Sequence, residues 1–324
     1  MQIYQNDKSK QWILYILLFV VTAVIKDQWK LSDGLKELLG KHYVYLTAAH
    51  AYMLANGMPE LNKPQKGSPR LFWTHGLLDQ IPSGVRYVYA VRNPVNASWS
   101  WYHFVRQFYN VQQPLAFKDF FWRFLMHNCH WPEPLLWNHF KSWWHARQTL
   151  PKSVLWLHYE HLTSNDTQIR LSQIVKIAQF IRANATETTL ATALWRSSQE
   201  YFIQNSYDFA HSWSTQAAAD VNEYSTNIKQ LKLEPLYEMV SVMEGQQSSN
   251  PRKWTPSIEE IGDIARYLQE KWRQNIQPLT GLESYEQLLA ASDLKLRHEI
   301  KSLFTTDQFK TIMNHYKKHQ NGKA

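Results

Sequence analysis

The chain has 324 residues, 44% hydrophobic and 19% charged, the composition of a folded α/β protein with one large core and a terminal extension, or of two domains. Its one cysteine, Cys129, excludes an intrachain disulfide, a thiolate zinc cluster and a C-x-x-C redox pair, and fits a reducing compartment. Lysine and arginine outnumber aspartate and glutamate by 35 to 27, a net charge of +8, which suits an anionic ligand or a solvated basic surface. No block of like charge is long enough for a nucleic-acid-binding tail, so nucleic acid is not expected as a partner.

The apolar run Trp12–Ile25 lies between Lys8, Lys10 and Lys26. It is shorter than the roughly 20 residues a spanning helix needs, and no A-x-A-like cleavage site follows. It reads as a buried helix or strand, or as a membrane anchor. Residues 31–56 are mostly helical in pattern, with a break near Gly40, and residues 57–70 (GMPELNKPQKGSPR) read as a loop. Leu71-Phe72-Trp73-Thr74-His75 is a short strand stopped by Gly76, and Val85–Val91 is a second, dense in β-branched and aromatic residues. The second breaks at Arg92-Asn93-Pro94, where asparagine as N-cap and proline at the first helical position predict a helix through Trp101 and Phe104. Val154–Tyr159 is a third strand, followed by helical spacing over Ile169–Ile181. Strands alternating with helices predict a mainly parallel central sheet flanked by helices. The tail from about Gln277 to Ala324 is polar and helical, with the look of a separate pair of helices. Three segments are therefore expected: an apolar leader or anchor over residues 1–30, a catalytic domain over 31–275 and a helical extension over 276–324.

Ligands of open α/β sheets gather beyond the carboxyl ends of the strands. Arg92 stands between a strand end and a helix start, where its guanidinium can hold a phosphate in a fork beside free backbone amides. Ser98 and Ser100, in the early turns of the helix, can reach the same group. His75 has the equivalent place on its own strand and titrates near neutrality, as a general base must. Each feature also has a plainer reading, a surface cation or a structural histidine. Asn96, Asn165 and Asn184 open N-x-[ST] patterns, but a glycan at Asn96 would block the phosphate position, which favours the cytoplasm.

Taken in order, THGLLDQIP, RNPVNASWSWYHF, LWNHFKSWWHAR and VLWLHYEHL resemble the cytosolic sulfotransferases over about residues 69–181, and more loosely to Trp272. The resemblance implies a P-loop-kinase-like sulfotransferase fold. It implies transfer of a sulfuryl group from 3′-phosphoadenosine 5′-phosphosulfate (PAPS) to a hydroxyl of a small phenol, alcohol or sterol-like acceptor, without a metal. Matched residue by residue, His75 becomes the base, Arg92 and Ser100 the holders of the 3′-phosphate, and Tyr159 the adenine contact. Ser197 in SSQEYFIQN opens a further nucleotide segment in which Gln199 replaces an aromatic residue. Phe72, Trp73, Phe104 and Phe108 become candidates for the acceptor pocket.

The match fails at three places. The family's phosphosulfate loop (approximately T-Y-P-K-S-G-T-T-W) has no recognisable counterpart; counting back along the chain puts its lysine at Lys41, among bulky residues, which makes Lys41 a further catalytic candidate beside the sulfuryl donor. Trp73 stands where a lysine precedes Thr-His, and Met243-Glu244-Gly245 where Arg-Lys-Gly is expected. The family's lysine-threonine-valine dimer motif has no match either. Loss of one preorganised donor commonly costs on the order of 3 kcal/mol in a transition state stabilised by electrostatics. The alternative expectation is thus a catalytically impaired relative that binds adenosine 3′,5′-bisphosphate or serves as an interaction module.

Overall fold

The computed structural model describes residues 44–45, 72–73, 77–81, 83–108, 116–126, 135–204 and 258–322. In chain order the elements are β1 (Val44–Tyr45), β2 (Phe72–Trp73), β3 (Tyr87–Val91), α1 (Pro94–Phe108) and α2 (Phe117–Asp119), which runs on into π-helical turns over Phe120–Leu125. They continue with α3 (Leu135–Thr149), β4 (Val154–His158), α4 (Tyr159–Leu162), α5 (Thr167–Phe180), α6 (Glu187–Arg196) and α7 (Gln199–Gln204). The last are α8 (Ile258–Asn275), α9 (Gln277–Thr280), α10 (Tyr285–Leu303) and α11 (Thr306–Gln320). Lys41, His75 and the run Trp12–Ile25 lie outside the described residues, as does Met243-Glu244-Gly245. Among the described residues no helix is long and apolar enough to cross a membrane.

β1 pairs with β2, and β3 with β4, both in parallel. The expected helical stretch over residues 31–56 is thus wrong at Val44–Tyr45, which is strand. A β-branched residue beside an aromatic one suits a pleated surface, and pairing with Phe72–Trp73 overrides the local helical spacing. Helices cover both faces of the β3–β4 pair, an α/β arrangement. Tyr87, Tyr89 and Val91 on one face of β3 enter a core with Trp137, Phe140 and Trp143 of α3 and Ile264, Leu268 and Trp272 of α8. Val88 and Ala90 on the other face pack against a second core to which Leu171, Ile174 and Ile177 of α5 and Leu194 of α6 belong. Burial on both faces explains why β3 reads as a continuous apolar run in the sequence.

Local signals fix the helix starts. Asp166 accepts from the amides of Gln168 and Ile169 to cap α5, Thr186 caps α6, and Thr305 with Gln308 forms a capping box on α11. The two long C-terminal helices are not a separate pair. Ile312 and Tyr316 of α11 belong to the core under α5 and α6, while Tyr285 and Leu288 of α10 belong to the core on the opposite face. Each fully buried Leu or Ile side chain contributes roughly 1.5–3 kcal/mol, so the tail has a substantial share in the stability.

Candidate nucleotide site at the strand ends

β3 and β4 run in register from Tyr87↔Val154 to Val91↔His158, so both strands end at the same level. The next residues, Arg92 and Tyr159, therefore emerge side by side. The guanidinium carbon of Arg92 lies 4.2 Å from the centroid of the Tyr159 ring. Its Nε and Nη1 are buried and have no hydrogen-bond partner among the described residues. Leaving charged donors unsatisfied away from water is costly, and the α1 macrodipole points its positive end at the same place. An anion at this position would relieve both.

Asn93 organises the start of α1, as its sequence position predicts. Its Oδ1 accepts from the amides of Val95 (2.9 Å) and Asn96 (3.1 Å). The amides expected to be free for a phosphate are thus taken by the cap, which leaves Arg92 as the principal anion donor. Ser98 is also unavailable: fully buried, it donates from Oγ to the Pro94 carbonyl at 2.6 Å. Ser100 lies half-buried two residues further along α1, a little over half a helical turn on. Ser197 ends α6, where it is buried and donates from Oγ to the Leu194 carbonyl at 3.2 Å. Ser198, beside it, accepts from the amide of Tyr201 at 3.1 Å and so starts α7.

Four further residues belong to this site and were not identified from the sequence. Glu160 takes the backbone amide of Asn93 on Oε1 (3.1 Å) and the hydroxyl of Tyr285 on Oε2 (2.5 Å). Glu286 accepts from Asn93 Nδ2 at 2.7 Å. Burial, and then the charge of Glu160, hold the Tyr285 phenol well above its usual range, so it stays a donor; Arg92 acts the other way. His158, 2% exposed, has its Nδ1 3.4 Å from the Tyr285 hydroxyl. Its pKa falls to about 3, first through burial and then through the charges of His161, Arg147 and Lys176. Glu160 had a weak signal, an acid placed directly after Tyr159 at a strand end. Tyr285 and Glu286 had none, because they come from the far tail.

The flanking chain adds to this picture. In the sequence Lys41 comes three residues before β1 and His75 two residues after β2. Phe72 and Trp73 form β2, and Phe104 and Phe108 lie on α1.

A parallel sheet covered on both faces brings to its strand ends an arginine with two buried nitrogens unpaired among the described residues, an arrangement that suits an anionic ligand. Residues 24–232, well over half of the chain, match the family model described as the sulfotransferase domain, and the chain belongs to that family. It is 25% identical over 143 residues to Sulfotransferase 1C2 of Homo sapiens, covering 43% of this chain and 46% of that protein. It is 26% identical over 182 residues to Sulfotransferase 1A1 of Canis lupus familiaris, covering 54% and 59%. It is also 27% identical over 128 residues to Cytosolic sulfotransferase 13 of Arabidopsis thaliana, covering 38% of each. The chain thus spans about half the length of the curated relatives it matches. Helices α8 to α11 lie beyond the residues the family model covers.

Proposed function

We propose that the chain is a cytoplasmic sulfotransferase that takes the sulfuryl group from PAPS and passes it to the hydroxyl of a small phenol, alcohol or sterol-like acceptor. One observation carries the reading: the guanidinium of Arg92, stacked on Tyr159 at the strand ends, keeps two buried donors unpaired among the described residues. In this reading Arg92 and Ser100 hold the 3′-phosphate, Tyr159 and Ser197 contact the nucleotide, and His75 removes the proton from the acceptor hydroxyl. The acceptor oxygen then attacks sulfur in line as the bond to the bisphosphate breaks. Lys41, ahead of β1 in the chain, is not included in this set. The test is sulfate transfer from labelled PAPS to a panel of phenols and sterols, with His75→Ala as the control. Turnover that His75→Ala abolishes is expected; no turnover with any acceptor overturns catalysis.

A second reading has an observation of its own. Between Tyr45, the end of β1, and Asn62 the chain has no lysine or arginine, so the segment after that strand lacks the cation of a phosphosulfate cradle. A protein with this deficit keeps the bisphosphate site and lacks the chemistry. It would be stabilised thermally by adenosine 3′,5′-bisphosphate and transfer nothing.

A further inference from the structure

Arg92 raises a question of charge balance. The Glu160 carboxylate is bound at the residue next to Arg92, yet Nε and Nη1 of the guanidinium have no hydrogen-bond partner among the described residues. Glu160 follows Tyr159, the residue under Arg92, and its Oε1 holds the amide of Asn93, the residue after Arg92. An unengaged Oε2 so placed would pair with a free guanidinium in preference to water. It is engaged by the hydroxyl of Tyr285 at 2.5 Å. That hydroxyl is buried, stays protonated and has a single proton to give; its contact with the Val91 carbonyl is longer, at 3.4 Å. The helix bearing it is fastened to the same loops at two further places. Glu286 holds the Asn93 side chain at 2.7 Å, and Asp293 contacts Nε2 of His161, on the short helix α4 that carries Tyr159 and Glu160.

We infer that Tyr285, in the first turn of α10, is a positioning residue that keeps the Glu160 carboxylate off Arg92 and so leaves the guanidinium open to a phosphate. The extension beyond the family's common domain thereby sets the affinity of the nucleotide site without touching the nucleotide. The inference rests on the reading of Arg92 as the phosphate's partner. Tyr285→Phe is a suitable probe, since its ring keeps the packing against Trp272 and His158.

The experiment is calorimetric titration of adenosine 3′,5′-bisphosphate into the full-length protein, Arg92→Ala, Tyr285→Phe and the double variant Tyr285→Phe/Glu160→Gln, alongside a ligand-free crystal structure of Tyr285→Phe. Tyr285→Phe is expected to bind about tenfold more weakly, because a new ion pair must be broken before the phosphate can dock. The double variant, lacking the competing charge, is expected to return to within about twofold of the parent, a rescue that a purely structural role for Tyr285 would not produce. In the ligand-free crystal, the Glu160 carboxylate is expected on Arg92. Unchanged affinity in Tyr285→Phe, or a double variant as weak as the single one, overturns the inference while Arg92→Ala still tests the nucleotide site. If the parent and Arg92→Ala both fail to bind, the nucleotide reading is what falls. The crystal then decides alone on Tyr285, and a Glu160 carboxylate still turned away from Arg92 overturns its role.

Discussion

Among the described residues two arginines stack on aromatic rings, and their surroundings differ. Arg147 lies in the last turn of α3, over Trp144 at 4.9 Å and Trp156 at 5.5 Å. A cation there sits at the negative end of a helix dipole and shields two large rings. Arg92 stands before the first turn of α1, at the positive end of its dipole, with two unsatisfied nitrogens. A stacked arginine at a helix's carboxyl end is explained by the fold; one at the amino end, facing the positive end of the dipole, suits the anion of the proposed function. The stacking alone does not distinguish them.

The largest effect that bears on this contrast is loss of the Arg92 side chain. Hydrogen bonds to charged groups contribute roughly 1.5–3 kcal/mol, so Arg92→Ala should bind adenosine 3′,5′-bisphosphate between about tenfold and a hundredfold more weakly. Its thermal midpoint should change little, because loss of the stacking on Tyr159 is offset by removal of a charge whose Nε and Nη1 have no hydrogen-bond partner among the described residues. Titration calorimetry and a melting curve on the same preparations check both halves. A variant that melts well below the parent and binds equally would place Arg92 beside Arg147 as a packing residue, and the contrast would be gone.

His158 supplies the next effect in size. It ends β4, one residue from Tyr159, and its pKa of about 3 lies below the ordinary value of 6.5, chiefly because it is buried. The folded chain therefore binds fewer protons than the unfolded chain. This stabilising share is complete above about pH 6.5 and is lost as pH falls toward 3, at up to about 1.4 kcal/mol per pH unit. Urea unfolding at pH 7.5 and 5.5 should show His158→Gln losing less stability than the parent over that interval. Equal losses would mean that the strand end is wetter than its burial implies.

The half of the site that could be read from the sequence is the half made by local rules. β3, the Asn93 cap and the proline that opens α1 follow from neighbours one to four positions apart, and they place Arg92 without knowledge of the rest of the fold. Their consequence was misjudged, because the cap uses amides that the sequence reading reserved for phosphate. The parallel alignment of Arg92 and Tyr159 joins residues 67 positions apart, and only the strand-by-strand motif order hinted at it. Tyr285 and Glu286 were invisible. They sit in a polar stretch with ordinary helical spacing, and nothing local marks a tyrosine that will bury its hydroxyl under a distant strand. The tail read as separate because its apolar positions are sparse, yet Tyr285, Leu288, Ile312 and Tyr316 suffice to seat it on the two cores.

The smallest effect tests the other arm of the contrast. Cation–π contacts contribute about 0.5–2 kcal/mol depending on desolvation, so Arg147→Ala should lower stability by roughly 1 kcal/mol through lost contact with Trp144 and Trp156. Bisphosphate affinity should stay within about twofold of the parent, as expected for a site with no shared partner. The arginine is also one of the charges that lower the His158 pKa, but it ranks behind burial and His161. Arg147→Ala should therefore retain most of the stability loss between pH 7.5 and 5.5, unlike His158→Gln. Urea unfolding of all three proteins at both pH values separates these contributions. A pH dependence abolished by Arg147→Ala would mean that charge rather than desolvation holds His158 neutral, and that the two arginine regions communicate through it.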